Sequence, residues 1–439
     1  MLIEFRAENY RSIRDEQALS LEAALPGGPG DGRTRTVADR QLLPAVALYG
    51  ANASGKSNVL AAFAFMRFAV VDSHTTWAPD GGVPRDPFAW GPRRDQPSLW
   101  ETALLVDGVR YDYGFVANDA RFIEEWLYAW PLGRKQVWFE REGDVFKYGE
   151  HLRGENRLIE QVTRPNALFL SAAAQNRHEQ LMPLFLWFRS TVFSGHTLLP
   201  HEARREPAAA WVSRLVRDVQ QPQLFPELSG QDRHAGEKIE KLKGLLRMAD
   251  IGIVDFKVES ESLDVLSRGG LLPGRQQSRV LFRHQSAERD AWLPLESESN
   301  GTRTLFRIAP RIIDALRSGM RLLIDEMESS LHPLLAMRVI EMFNDPAQNP
   351  RHAQLVFTTH DTTLLGTIVG SPVLRRDQVW LTEKNQDGAT ELYPLTHYKP
   401  RKEENVERGY LQGRYGAIPF LGGLPPAGEP GDGGGPAGE

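Results

Sequence analysis

Gly50-Ala51-Asn52-Ala53-Ser54-Gly55-Lys56-Ser57 sets two glycines ahead of a lysine and a serine, at a spacing suited to holding phosphate. The glycines let the backbone curl so that successive N–H groups face an anionic oxygen. Lys56 can reach terminal phosphates, and the Ser57 hydroxyl can ligate Mg²⁺. Asn58 follows at the start of a helical pattern, whose N-terminus favours anions. Farther on, the apolar run Arg321-Leu-Leu-Ile ends in two carboxylates, Asp325 and Glu326. Beside a phosphate loop, Asp325 suits Mg²⁺ and Glu326 suits activation of an attacking water. Taken alone, they read equally as surface acids at a strand end. Val356-Phe-Thr-Thr-His360 ends another apolar run in a histidine, able either to donate to a phosphate oxygen or to cap the next helix. Ser299-Asn300-Gly301-Thr302 heads a long amphipathic stretch and, on local sequence, is first of all an ordinary helix cap.

These groups need an α/β scaffold. Ala45–Tyr49 reads as a buried strand, and Val59, Leu60, Ala62, Phe63 and Met66 recur at helical spacing. Segments 321–325, 354–358 and 379–382 read as further buried strands, 379–382 being the last. Thr302–Leu316 predicts a helix kinked at Pro310 and capped by Gly319. Pro333–Phe343 predicts a helix with proline at its first position. Residues 2–23 predict two antiparallel strands joined around Asn9–Ser12, and 100–141 four more strands. Leu168–Leu170 reads as a short strand, 177–248 mainly as helix, and 253–295 again as strands. The Gly-, Pro- and Ala-rich residues 421–439 are expected to be disordered.

The 439 residues are 25 % charged with a net charge of −5, so no global basic field argues for nucleic acid. The absence of cysteine excludes disulfides, Cys-based zinc sites and a Cys nucleophile. No apolar run approaches the roughly 18 residues of a membrane span. The opening Met-Leu-Ile-Glu-Phe-Arg lacks the layout of a signal peptide, and a cytoplasmic protein is expected.

In order, the phosphate loop, Ser-Asn-Gly-Thr, Leu-Leu-Ile-Asp-Glu and Thr-Thr-His resemble the ABC-type ATPase heads of the SMC, RecF and OLD group. The nearest likeness is to the stand-alone "AAA family" ATP-binding proteins of abortive-infection and anti-phage systems. Glu8-Asn-Tyr-Arg-Ser-Ile13 resembles the Asn-Phe-Arg-Ser element that opens SMC-type heads, which implies that Arg11 and Ser12 touch nucleotide. Glu298–Thr302 is similar to the signature loop. It departs from the Leu-Ser-Gly-Gly-Gln of transporters, which, with no membrane context, argues against transport. Glu328-Ser-Ser-Leu-His-Pro333 resembles the segment that makes cross-dimer contacts. Gln175 stands where a Q-loop glutamine would fall, which would put it at the metal. A buried amide capping a helix is an equal reading. The Gly- and aromatic-rich block Arg408–Phe420 suits either a docking surface or simple packing, and residues 398–420, with Tyr410, Tyr415 and Phe420, are expected to help dock a second protein.

The resemblance implies an α/β P-loop NTPase with ABC/SMC-head-like mixed sheets: a RecA-like core, an antiparallel β subdomain and a helical insert. The expected divisions are an N-terminal lobe at 1–176, the insert at 177–248, a C-terminal lobe at 249–420 and a tail at 421–439. It implies an ATPase using ATP and Mg²⁺, with Lys56, Glu326 and His360 catalytic and Ser57, Asp325 and Gln175 at the metal. Gly50, Ala51, Asn52, Ala53, Ser54, Gly55, Lys56, Ser57 and Asn58 would bind nucleotide with Arg11 and Ser12. Ser299, Asn300, Gly301 and Thr302 would close over it from the second subunit of a head-to-tail homodimer. No long coiled coil divides the halves, and no acidic Toprim-like nuclease module follows His360. The expected role is therefore the sensor or regulatory ATPase of a defence module acting with a separate nuclease or toxin. The alternative is a DNA-binding repair or recombination ATPase of RecF/SMC type, with nucleic acid as partner.

Overall fold

The computed structural model describes residues 1–26, 31–195, 207–220, 232–249, 252–262, 265–267, 270–272, 276–286, 288, 291–366, 370–399 and 404–419. The tail 421–439 and Phe420 lie outside the described residues. The first lobe contains β1 (Leu2–Glu8), β2 (Gln17–Ser20), β3 (Ala45–Gly50), α1 (Lys56–Asp72), β4 (Ser98–Val106), β5 (Val109–Ala117), β6 (Phe122–Trp130), β7 (Gln136–Glu142) and β8 (Val145–Tyr148). Then come α2 (Phe169–Gln175), α3 (Met182–Ser190), β9 (Val192–Ser194), α4 (Ala208–Gln220) and α5 (Ala235–Ala249). The last part contains β10 (Ile253–Ser262), β11 (Gln276–His284), β12 (Trp292–Pro294), α6 (Asn300–Ser318), β13 (Arg321–Ile324), α7 (Pro333–Asn344), β14 (Gln354–Thr358), β15 (Val379–Lys384), β16 (Thr390–Pro394) and α8 (Val406–Leu411).

Two large sheets carry the structure. One is antiparallel, in the order β8-β7-β6-β5-β4-β1-β2. Its strands bury one set of alternating residues, among them Trp100, Phe115 and Phe122, as period-two strands with one solvated face do. The other runs β9-β13-β14-β3-β15-β16, parallel except for the hairpin strand β16. Its central strand β3 is buried at every position, as a strand covered on both faces must be. Helix α1 lies between the sheets: Phe63 packs edge-on to Phe5 of β1, and Phe65 lies 4.6 Å from Trp100 of β4. A helix apolar nearly all round is stable only when enclosed in this way. A second core covers the opposite face of the parallel sheet, where α6 and α7 pack against Ala47, Leu322 and Phe357.

Several expectations change in three dimensions. Leu168–Leu170 do not form a strand; Phe169 begins α2, because the buried Glu125 carboxylate accepts the N–H groups of Phe169 and Leu170 at that helix end. The stretch 177–248 is not only a helical insert, since β9 joins the core sheet beside β13. The strand at 379–382 is not the last, because β16 returns against it. Helix α6, as expected, holds Pro310 inside it and runs about two more turns beyond. Two rings of the C-terminal block, Tyr410 and Tyr415, are buried and present no docking surface themselves: Tyr410 stacks edge-on to Tyr49, and its hydroxyl donates to Ala417 O. Among the described residues, no helix is long and apolar enough to cross a membrane.

A buried amide helps tie the two sheets together. Gln354, at the start of β14, accepts from Leu2 N–H (2.5 Å) and donates to Leu2 O (2.9 Å) and Leu43 O (3.2 Å). Replacing it leaves a buried donor and two acceptors unpaired, each worth about 1–3 kcal/mol. Gln354→Leu should therefore lower the thermal unfolding midpoint clearly, whereas an exposed control, Gln161→Leu, should hardly move it; scanning calorimetry checks both.

Candidate functional site

The parallel strands deliver their chemistry at one edge. Beyond β3 the chain turns at Gly50 and re-enters helix at Lys56. Ala53 takes φ 62° and Gly55 φ 111°, which curls the loop. Gly55 is needed twice over, because a Cβ there would also run into Thr390. A Cβ at Gly50 would strike Thr382 and the Ser54 hydroxyl. The loop is clamped from the side by hydroxyls: Ser54 Oγ to Thr382 Oγ1 (2.6 Å), Thr390 Oγ1 to Ser54 O (2.9 Å), and Ser12 Oγ to Thr390 Oγ1 (2.7 Å). Asn58 Nδ2 donates to Ser12 Oγ at 2.6 Å, which brings the β1–β2 turn onto the start of α1. Arg11 belongs to the same turn, but its guanidinium pairs with Asp86 at 3.1 Å.

Lys56 is buried, and its ammonium donates to Gly50 O (2.8 Å) and Ala51 O (3.0 Å) across the mouth of its own loop. Burial lowers its pKa, opposed by the negative charges of Glu328, Asp325 and Glu326. Strand β14 separates β3 from β13, so Asp325 faces the loop across one strand. Asp325 Oδ1 accepts from Ser57 Oγ (2.9 Å) and from Thr358 Oγ1 (2.8 Å). The 2.9 Å separation of the Ser57 and Asp325 oxygens matches the roughly 3 Å edge of an octahedron with Mg²⁺–O bonds near 2.1 Å. These two residues fit a divalent ion, which would supply charge neutralisation at a phosphate.

Glu326 sits at the head of the short helix Met327–Ser330 with φ 54°, and its N–H donates to Thr358 Oγ1 (2.7 Å). This left-handed turn swings the second acid out of the strand direction. His360 is tied to Glu328, whose Oε1 accepts its backbone N–H (2.9 Å) and lies 3.3 Å from Nε2. The other carboxylate oxygen, Glu328 Oε2, is buried without a hydrogen-bond partner.

The structure brings together Gly50–Asn58, Ser12, Asp325, Glu326 and His360. It does not bring Gln175 there. Leu168, just before α2, is tied to Ser73 at the far end of α1 (3.1 Å). Helix α1, of 17 residues, is about 25 Å long and α2, of 7, about 10 Å, so Gln175 falls roughly 15 Å short of the start of α1. Gln175 is an exposed helix-end residue.

Ser299–Thr302 also stand away from the loop of their own chain. Ser299 caps α6 by accepting from Thr302 N–H (3.1 Å), and Ser299, Asn300 and Gly301 are exposed. Twelve residues later, Arg311 donates to Ser194 Oγ (2.9 Å), and Ser194 O accepts from Asp325 N–H (2.8 Å). The intervening helix is about 18 Å long, which carries the cap well past the strand ends. Behind the cap, the buried Glu298 meets His284 Nε2 at 2.7 Å.

The roles of Thr358, Thr382, Thr390 and Glu328 were not readable as such. Thr358 lay within the Thr-Thr-His run, but an internal strand threonine carries no sign of what it faces. Thr382 and Thr390 belong to a hairpin remote in sequence.

Fold and site together define a P-loop NTPase. The chain belongs to the family described as "AAA domain, putative AbiEii toxin, Type IV TA system", whose model matches residues 45–366. Among solved structures it is similar to an SMC head bound to the C-winged helix domain of ScpA, at 12 % identity and TM-score 0.44, covering 93 % of this chain and 99 % of that one. It is also similar to the SMC head domain from Thermotoga maritima, at 13 % identity and TM-score 0.38, covering 90 % and 98 %. No curated protein matches the chain.

Thr358 holds Asp325 and Glu326 without facing the phosphate loop directly. Loss of such outer support costs about 10-fold or more in metal affinity. Thr358→Val should therefore weaken Mg²⁺-dependent ATP binding by about that factor and leave binding in EDTA within about two-fold; titration calorimetry in both buffers checks this.

Proposed function

We propose that the protein binds and hydrolyses ATP, and that hydrolysis opens a dimer whose two sites are each shared between subunits. One observation carries this reading: Lys56, Ser57, Asp325, Glu326 and His360 converge at the strand ends, while Ser299–Thr302 is held a helix length away from them. Lys56 would leave its carbonyl partners for terminal phosphate oxygens. Ser57 and Asp325 would hold Mg²⁺. Glu326 would take the proton of the attacking water, and His360, oriented by Glu328, would donate to the phosphate oxygen that gains charge. The exposed cap of α6 would meet the partner's phosphates, with Gly301 permitting close approach and Ser299 donating.

Membership of a family described as a putative AbiEii toxin domain supports a place in abortive-infection defence. We read the chain as the regulatory ATPase of such a system in the cytoplasm, with a nuclease or toxin as a separate chain. Copurification with the product of a neighbouring gene would support it; flanking repair genes with salt-dependent DNA binding would favour the repair reading instead.

Two experiments test the shared site. Glu326→Gln removes the base but keeps its shape, so ATP should bind and persist in a stable dimer, seen by size-exclusion chromatography with light scattering. Wild-type turnover by that variant would remove Glu326 from the mechanism. A Cβ at Gly301 would meet only Ser299 Oγ, at 3.8 Å, so Gly301→Asp suits the fold of one subunit. It should bind ATP normally but fail to close over it. Mixed with Lys56→Ala subunits, it should recover roughly a quarter of wild-type activity, because half the randomly paired dimers carry one intact site. A Gly301→Asp protein that turns over at full rate as a monomer would overturn the model.

A further inference from the structure

Trp90 is the most exposed large aromatic residue among those described, at 62 %. It is not on a loose loop. Phe88 beneath it is buried and stacks edge-on to it at 5.3 Å. Phe88 N–H donates to Asn9 Oδ1 (3.0 Å), and the buried Asn9 amide donates to Arg93 O (2.7 Å) and Gln96 O (2.8 Å). Arg11 clasps the same segment through Asp86, by its backbone N–H (2.6 Å) and its guanidinium. The ring is thus held out toward solvent by the turn whose next residue, Ser12, touches Asn58 at the start of the phosphate-loop helix.

The six-membered end of the same indole abuts the β15–β16 hairpin. A Cβ at Gly388 would lie 3.0 Å from the Trp90 ring, and Gly388 has φ 73°, so the turn closes against the indole only because that residue is glycine. Gly388 is two residues from Thr390, at most about 7 Å along the chain, and Thr390 bonds both Ser54 O and Ser12 Oγ. Trp90 therefore stands about one nucleoside length from the phosphate loop, on the edge where Ser12 and the start of α1 meet.

We infer that Trp90 is the stacking platform for the base of the bound nucleotide. The inference rests on the reading of Gly50–Ser57 as a nucleotide site. A ligand anchored there by its phosphates has its sugar and base left to place, and an indole offers a flat, polarisable surface that any purine can cover. Covering the ring would also remove its apolar surface from water.

Binding of ATP and of inorganic tripolyphosphate, each with Mg²⁺, to wild type, Trp90→Ala and Trp90→Phe tests this by calorimetry. Trp90→Ala should weaken ATP about 10-fold and leave tripolyphosphate within about two-fold, since only ATP carries a base. Trp90→Phe should keep most of the ATP affinity. The exposed position makes both variants compatible with an unchanged melting curve. ATP affinity unchanged in Trp90→Ala, with wild-type binding intact, would overturn the platform alone. Equal loss of both ligands would assign Trp90 to holding the loop and overturn it too. Failure of the wild type to bind either ligand would overturn the nucleotide-site reading together with the platform.

Discussion

A single carboxylate oxygen joins the three elements on which the site depends. Asp325 Oδ1 accepts from Ser57 after β3 and from Thr358 at the end of β14, while Asp325 itself ends β13. Three parallel strands are thereby held in register at the end where their chemistry emerges. Buried hydroxyls and a carboxylate left unpaired would each cost free energy, so strand order and hydrogen bonding support each other. The same oxygen is also placed to ligate a cation. One group thus serves both the architecture and the proposed chemistry, and substitution of Asp325 itself would confound the two.

The phosphate loop is fixed less by its own residues than by its lateral neighbours. Ser12, Thr382 and Thr390 come from opposite ends of the chain and form a hydroxyl chain along one flank of the loop. Preorganised N–H groups bind an anion without first ordering themselves, and the strain of positive φ at Ala53 is held by these contacts. This flank couples the antiparallel sheet to the site through the β1–β2 turn, and it is the flank on which Trp90 is presented.

Charge is balanced around Lys56. Its burial disfavours the ammonium, while Glu328, Asp325 and Glu326 favour it. Glu328 stands first among those opposing charges and also positions His360, so the short helix after β13 supplies more than the two acids at the strand end. The left-handed turn at Glu326 is what allows successive acids to face different partners.

Local pattern determined a good deal. The phosphate loop, the apolar strands at 45–50, 321–324 and 354–358, the caps of α6 at Ser299 and Gly319, and the strand-rich 98–142 segment all follow from glycine placement, hydrophobic period and capping chemistry, which are local properties. Adding His360 to the site of Asp325 and Glu326 required a family resemblance, because separation in sequence says nothing of which strands are neighbours. Tertiary structure alone decided that β14 lies between β3 and β13, that β9 belongs to the core sheet, and that Thr390 closes on Gly55. It also turned Tyr410 and Tyr415 inward and kept Gln175 away from the start of α1. Each of these depends on long-range pairing and burial, where the energy of a residue is set by its neighbours in space rather than by those in the chain.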